Sequence, residues 1–189
     1  CGPSGHGPMK HARRVRRELG VRTIFNVLGQ LTNPAGANVQ LLGVDSPDLC
    51  EILARVLGRL GSRRALVVCG AGNVDEFTVT GDTEVAELSN GEVRTYTVRP
   101  EDAGLGRSRL VDLQGGDTPA ESAAILRDVL GGAKGPKRDM LLLNSGAALY
   151  AAGKVPGLKT GVVLATGIID SGAALVKLEA LIKFSQNGS

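Results

Sequence analysis

Two stretches of the sequence contain polar and charged residues in patterns that suggest a binding or catalytic site. The first, residues 6–34, combines a histidine, a dense run of basic residues and a loop rich in glycine and asparagine. A local basic patch attracts anions such as phosphate, carboxylate or nucleic acid. The second stretch is the acidic pair Asp75-Glu76. Taken alone, such a pair is compatible with an exposed turn, so its place in the fold has to decide its meaning.

Residues 8–19 of the basic stretch are predicted to form a helix, with Pro8 in its first turn and Gly20 at its end. Its apolar positions share one face: Met9, Ala12, Val15 and Leu19. A step of about 100° per residue places Arg16 beside this face, and an inward guanidinium needs an anionic or carbonyl partner. The other arginines of the helix are interpreted as a solvated face: Arg13, Arg14 and Arg17.

The acidic pair follows a buried strand. Residues 64–69 form a continuous apolar run of the kind found in buried parallel strands. A helix connects them to a preceding strand at 39–44, which gives a βαβ unit. A glycine-rich turn over residues 70–73 then leads to Asp75-Glu76. Ligands of open α/β sheets bind just beyond the carboxyl ends of strands, so this position favours a binding site over a simple turn.

We predict an α/β fold with a mostly parallel central sheet, flanked by helices and carrying an inserted antiparallel hairpin. The hairpin joins residues 83–88 to Glu92–Val98 through Asn90-Gly91, a strong two-residue turn signal. A further strand is predicted over residues 21–28. Helices are predicted over residues 47–60, 119–130, 138–152 and 169–184. Ser46 is expected to cap the first of these, and Thr118 with Glu121 to form a capping box on the second.

The composition sets limits on domain count and partners. At 189 residues the chain is long enough for one domain, and its 42% hydrophobic residues with only 3% aromatics imply an aliphatic core. The formal net charge of +3 is too small to favour nucleic acid binding by the whole chain. The three cysteines form no metal-ligand pattern and no disulfide framework, so a cytoplasmic setting is expected. No apolar run approaches the roughly 20 residues that span a bilayer, so no membrane partner is expected.

Several stretches resemble anthranilate phosphoribosyltransferase, an enzyme family of tryptophan biosynthesis. They follow the family's order nearly from end to end: His6-x-x-Met9-Lys10, Val15-Arg16-x-x-Leu19-Gly20-x-Arg22-Thr23-x-Phe25-Asn26-x-Leu28-Gly29-x-Leu31-Thr32-Asn33-Pro34, Val74-Asp75-Glu76, Gly115-Gly116-Asp117, Leu142-Leu143-Asn144, Ala148-Leu149-Tyr150 and Ile169-Asp170-Ser171-Gly172. The resemblance implies that residues 1–189 are a C-terminal α/β domain, without the family's N-terminal helical domain. It also implies that the loop holding phosphoribosyl pyrophosphate, Gly-Thr-Gly-Gly-Asp, is absent, so the chain by itself is expected to be inactive.

The resemblance further implies a reaction and a set of roles. The family transfers a 5-phosphoribosyl group from phosphoribosyl pyrophosphate to the amine of anthranilate and releases pyrophosphate. By resemblance, His6 and Arg16 contact anthranilate, Arg16 through the carboxylate, and Gly29 lies at the anthranilate channel. Gln30 stands where the family usually has proline, which bears on the shape of the aromatic pocket.

The acidic pair takes its role from the same resemblance. Asp75 and Glu76 match the residues that bind Mg²⁺ together with the pyrophosphate, and hard oxygen ligands suit Mg²⁺. A homodimer of the full-length protein is implied as well.

Two other functions stay open at this point. One is a non-catalytic relative that binds nucleic acid through residues 13–22 by phosphate contacts. The other is a pyrimidine nucleoside phosphorylase, which shares the broad fold.

Overall fold

A four-stranded mixed sheet forms the centre of the computed structural model, which describes Leu31 and residues 36–187. The strands are β1 (Val39–Gly43), β2 (Arg64–Gly70), β3 (Thr83–Ser89) and β4 (Glu92–Val98). The helices are α1 (Asp48–Arg59), α2 (Pro119–Leu130), α3 (Pro136–Ala151), α4 (Leu158–Asp170) and α5 (Ala173–Asn187). Two 3₁₀ turns, Pro100–Ala103 and Leu110–Leu113, lie between β4 and α2.

The order of the sheet is β1-β2-β3-β4, with β1 and β2 parallel and the other two pairings antiparallel. The α/β class and the hairpin are therefore confirmed. Asn90 (φ 53°) and Gly91 (φ 81°) both have positive φ, as the predicted two-residue turn requires. The described sheet is mixed rather than mostly parallel, because β3 and β4 join it as an antiparallel hairpin. The predicted strand at 21–28 and the predicted helix at 8–19 lie outside the described residues.

The side chains of β2 alternate between two cores, as the period of two along a strand requires. Ala65, Val67 and Cys69 belong to a cluster with the buried face of α1. Leu66 and Val68 belong to a second cluster, to which α3 and α4 contribute. Helices thus cover both faces of the sheet.

Within the described residues no single helix is long and apolar enough to cross a membrane. The pair Leu158–Asp170 and Ala173–Gln186, which is bent by 68°, would be long and apolar enough if taken together.

The crossing of α3 and α4 depends on two glycines. A Cβ placed on Gly146 would lie 2.7 Å from the backbone nitrogen of Val162. A Cβ placed on Gly161 would lie 2.9 Å from Gly146 Cα. The helices can approach this closely only because neither glycine has a side chain.

Of the predicted helix details, one is confirmed and two are corrected. Thr118 and Glu121 form the predicted capping box, with bonds of 3.0 and 3.2 Å. The first helix instead has Pro47 at its N-cap without a side-chain bond, so the predicted Ser46 side-chain cap is wrong. The predicted helix at 169–184 is divided, since α4 ends at Asp170 and Gly172 takes φ 76° before α5 begins. The rest of α4 was missed because glycines and branched residues mask its helical pattern.

Candidate active site

The acidic pair lies on a short segment that leaves β2 and folds back across its end. Gly70 and Val74 form an antiparallel bridge, in which Gly70 N donates to Val74 O at 2.7 Å and Val74 N donates to Gly70 O at 3.1 Å. The turn between them has positive φ at Gly72 (78°) and Asn73 (62°), a conformation that suits glycine and asparagine. The acidic pair follows this turn, and both of its residues are exposed.

The segment rests on glycines at the carboxyl ends of the two parallel strands. A Cβ placed on Gly43, the last residue of β1, would overlap the carbonyl group of Asp75 and lie 3.1 Å from its Cα. A Cβ placed on Gly70, the last residue of β2, would lie 2.7 Å from the carbonyl oxygen of Glu76. The structure therefore places the pair where the sequence predicted it, beyond the carboxyl ends of adjacent parallel strands.

Asn144 of α3 holds the backbone directly after the pair. Its Oδ1 accepts from Phe77 N at 3.0 Å, and its Nδ2 donates to Phe77 O at 2.8 Å and to Met140 O at 3.0 Å. Sequence reasoning gave Asn144 no role. The available signal was an amide directly after three consecutive leucines of a helix, because a polar group among apolar neighbours needs partners.

Glu76 also lines a cavity of about 360 Å³ between the acidic segment, α2 and α3. The lining is largely apolar, with Leu110, Leu126 and Met140 among its members, and Lys137 also lines it. Partial desolvation, followed by the charge of Asp75, raises the pKa of Glu76 above its usual range. The exposed carboxyl groups of Asp75 and Glu76 are thus neighbours beside a largely apolar cavity.

The donor chemistry of the pair fits Mg²⁺. Two adjacent exposed carboxylates supply hard oxygen ligands, and Mg²⁺ commonly takes one or two carboxylates together with waters and substrate phosphates. No group of three or more His, Cys, Asp or Glu side chains suited to a metal occurs among the described residues. The described residues would therefore offer a bound Mg²⁺ the two carboxylates of the pair and no closed cage of side chains.

A second polar cluster surrounds Glu87, which is only 3% exposed. Its carboxylate accepts from Arg94 Nη2 at 2.9 Å, from Tyr96 Oη at 2.8 Å and from Tyr150 Oη at 2.8 Å. Burial alone would raise the pKa of Glu87, but these hydrogen bonds outweigh it and the pKa is lowered. The cluster joins the β3–β4 hairpin to α3. Both oxygens of the Glu87 carboxylate accept hydrogen bonds from within the protein, so we interpret the cluster as structural. Sequence reasoning did not predict this cluster.

The two described cysteines, Cys50 and Cys69, are buried and free. Burial is the main cause that raises the pKa of Cys50 to about 11, and burial also raises the pKa of Cys69. A buried thiol with a raised pKa is a poor nucleophile, so neither residue is a candidate for covalent catalysis.

The residues predicted to contact anthranilate are not in the described part of the chain. His6, Arg16 and Gly29 lie outside it, as does Gln30. Their placement relative to the acidic pair therefore stays a prediction.

The fold and the exposed carboxylates beyond the ends of parallel strands define an α/β domain with a candidate metal-binding site at that edge of the sheet. The sequence model described as "Glycosyl transferase family, a/b domain" matches residues 1–175, and the chain belongs to this family.

Its relatives include the anthranilate phosphoribosyltransferase of Desulfotalea psychrophila, which is 57% identical over 182 residues, or 96% of this chain and 52% of the relative. The crystal structure of anthranilate phosphoribosyltransferase from Thermus thermophilus superposes with a TM-score of 0.86 at 48% identity, covering 93% of this chain and 52% of that one. The enzyme from Saccharomyces cerevisiae in complex with PRPP and Mg superposes with a TM-score of 0.80 at 30% identity, covering 90% and 49%. The resemblance predicted from the sequence is confirmed, and the chain spans about half the length of the relatives that it matches.

Proposed function

We propose that this chain provides the α/β part of an anthranilate phosphoribosyltransferase. The enzyme would transfer a 5-phosphoribosyl group from phosphoribosyl pyrophosphate to the amine of anthranilate, releasing pyrophosphate in tryptophan biosynthesis. The observation that carries the proposal is the exposed pair Asp75 and Glu76 beyond the ends of β1 and β2, in a chain whose relatives bear this name. A homodimer and a cytoplasmic location belong to the same proposal.

The chain's own residues would divide the work between the two substrates. Asp75 and Glu76 would hold Mg²⁺, which when bound neutralises charge on the departing pyrophosphate. Arg16 would pair with the anthranilate carboxylate through two parallel hydrogen bonds and so orient the ring amine. His6 would contact the same substrate, and Gly29 would line its channel. Because the nucleophile is a neutral aromatic amine, positioning matters more than a strong base, and no general base is assigned.

The test of the metal role is the Mg²⁺ dependence of anthranilate consumption, measured on the protein as its gene encodes it. In Asp75→Asn and Glu76→Gln we expect the Mg²⁺ concentration for half-maximal rate to rise about tenfold or more. Glu92→Gln is the matched control, because Glu92 is an exposed carboxylate at the start of β4, away from the pair. An inactive parent protein, or acidic-pair variants with the parent's Mg²⁺ dependence, would contradict the assignment.

The test of the anthranilate role uses Arg16→Ala. Hydrogen bonds between charged groups contribute about 1.5–3 kcal/mol, so the KM for anthranilate should rise by about tenfold to a hundredfold. Arg17→Ala is the control, because the helical spacing directs Arg17 away from the apolar face. Equal anthranilate KM values in the parent and Arg16→Ala would remove Arg16 from the site.

Nothing in the described residues favours either alternative function, and two assays separate them from the transferase. Salt-dependent DNA binding without anthranilate turnover would indicate the non-catalytic relative. Phosphorolysis of pyrimidine nucleosides would indicate the phosphorylase. Residues 1–189 contain no Gly-Thr-Gly-Gly-Asp loop, so we also expect these residues alone to show no turnover in the same assay.

A further inference from the structure

The acidic pair is fixed from both sides along the chain. On its amino side, Val74 is tied to the end of β2 through the two bonds with Gly70. On its carboxyl side, Phe77 is tied through its backbone to Asn144. Only Asp75 and Glu76 lie between these two anchors, so the position of their carboxylates depends on both.

The carboxyl-side anchor is formed by a single side chain from a distant part of the sequence. Asn144 bonds both backbone groups of Phe77, in the way that a neighbouring strand would, across a separation of 67 residues. Its remaining Nδ2 hydrogen goes to Met140 O at 3.0 Å within α3. The reverse orientation of the amide would set Nδ2 against the Phe77 N–H, two donors facing one another. The amide orientation is therefore determined by its partners.

Both partners of this anchor, Phe77 and Asn144, are held in place by the packing around them. The side chain of Phe77 is 1% exposed and belongs to the core that α3 and α4 share. The next residue is held as well, because Thr78 N donates to Thr83 Oγ1 at 3.2 Å. Asn144 lies two residues before Gly146, where α3 and α4 are in close backbone contact. Movement of Asn144 relative to the sheet is thus opposed by the packing of two helices.

We propose that Asn144 is a positioning residue for the metal site: it fixes the backbone at Phe77 so that Asp75 and Glu76 face one Mg²⁺–diphosphate together. This inference rests on the proposed function of the pair. Both Nδ2 hydrogens of Asn144 and one lone pair of its Oδ1 are engaged in holding the backbone, so we assign Asn144 a positioning role rather than a substrate contact. Asparagine alone can both accept the bond from Phe77 N and donate two bonds with a side chain of this length, since an aspartate carboxylate has no donors and glutamine is one methylene longer.

The experiment measures binding of Mn²⁺ with inorganic diphosphate, as a probe for Mg²⁺, to the protein as its gene encodes it. Asn144→Asp keeps the size and the acceptor for Phe77 N, but loses both donated bonds. Asn144→Leu removes all three. Loss of a side chain that orients metal ligands weakens metal binding by about tenfold to a hundredfold, so we expect about tenfold in the aspartate variant and at least as much in the leucine variant.

A matched control separates positioning from general loss of stability. Leu143→Ala removes a side chain of the same helix that is only 1% exposed, yet leaves the bonds of Asn144 in place. We expect Leu143→Ala to lower Tm and to keep the parent's metal–diphosphate affinity. Hydrogen exchange over residues 74–78 should be faster in Asn144→Leu than in the parent, and unchanged in Leu143→Ala at temperatures where both are folded.

The outcomes are distinct. Weaker metal–diphosphate binding confined to the Asn144 variants supports the proposal, and if Asn144→Leu fails to fold, Asn144→Asp decides. Folded Asn144 variants with the parent's affinity overturn it and leave the proposed function intact. An equal loss in Leu143→Ala also overturns it, because the effect is then general. A parent protein that binds no metal–diphosphate contradicts the proposed function, and the positioning role with it.

Discussion

Replacing Gly43 with alanine should displace the acidic pair without altering any charge. Gly43 ends β1 and pairs with Val68 of β2 in the parallel ladder. The added Cβ would overlap the carbonyl carbon and oxygen of Asp75 and lie 3.1 Å from its Cα. All three atoms belong to the backbone, so no rotamer change can relieve the overlap. Either β1 or the segment that carries Asp75 has to move.

In Gly43→Ala we expect the segment that carries Asp75 to move, rather than β1. The strand is held by its ladder with β2 and by Val44 N donating to Val68 O at 2.9 Å, whereas Asp75 and Glu76 face solvent. Non-bonded carbon atoms prefer separations of about 3.5–4.0 Å, so the Asp75 backbone should shift by about 1 Å or more. Overpacking of this kind costs about 1–3 kcal/mol, and we expect the low end because solvent accepts the displaced segment. Metal binding should suffer more, with about a tenfold or greater loss of affinity.

Two measurements on the same variant test this reasoning. Urea unfolding gives the free energy of unfolding, and titration with Mn²⁺ and diphosphate gives the affinity. Gly58→Ala is the control: its Cβ would lie 3.1 Å from the movable Leu88 Cδ1, and alanine favours the helix by about 1 kcal/mol. We expect Gly58→Ala to retain the parent's metal affinity. The reasoning is refuted if Gly43→Ala keeps both the stability and the metal affinity of the parent.

Three further predictions concern stability. Glu87→Gln should lower the free energy of unfolding by about 1–3 kcal/mol because a buried donor loses its acceptor. Since the pKa of Glu87 is lowered in the folded protein, its contribution to stability is present above the unfolded pKa of about 4.3 and is lost as pH falls through the folded pKa. Acid unfolding curves of the parent and the variant should therefore converge at that pH. Gly161→Ala should lower Tm because its Cβ meets the α3 backbone at 2.9 Å, whereas Gly167→Ala, with nothing within 4 Å, should leave Tm equal or higher; a tolerated Gly161→Ala would contradict the close crossing. Arg138→Ala should lower Tm more than Arg127→Ala. The Arg138 guanidinium is 3% exposed and lies 2.6 Å from Asp170, whereas the ion pair of Arg127 with Glu179 is half exposed. Equal decreases in Tm would show that burial of the ion pair does not determine the loss of stability.

The anthranilate half of the proposed site was predicted mainly by resemblance. Arg16 had support from helical spacing, but its position relative to the acidic pair depends on how residues 8–19 pack, and these lie outside the described residues. The metal half was better determined, because the sequence order of buried strand, glycine-rich turn and acidic pair leaves few places for Asp75 and Glu76. That reasoning used the general rule for strand ends, and the structure shows the pair at that location.

Elements with a local cause could be predicted from the amino-acid sequence. Asn90-Gly91 can take positive φ at both positions, so it specified the hairpin between β3 and β4. Thr118 and Glu121 specified the start of α2, because each side chain bonds a backbone group three residues away. The apolar run of β2 specified a strand buried on both faces.

Features that depend on contacts between distant residues became apparent only in the folded chain. Gly43 and Asp75 are 32 positions apart in the sequence, and Asn144 bonds a residue that is 67 positions away. The helical state of α4 also depends on packing, since Gly161 weakens the helix locally but permits its close contact with α3. Local propensity cannot encode these pairings, because each residue acquires its role from a partner that the fold brings to it.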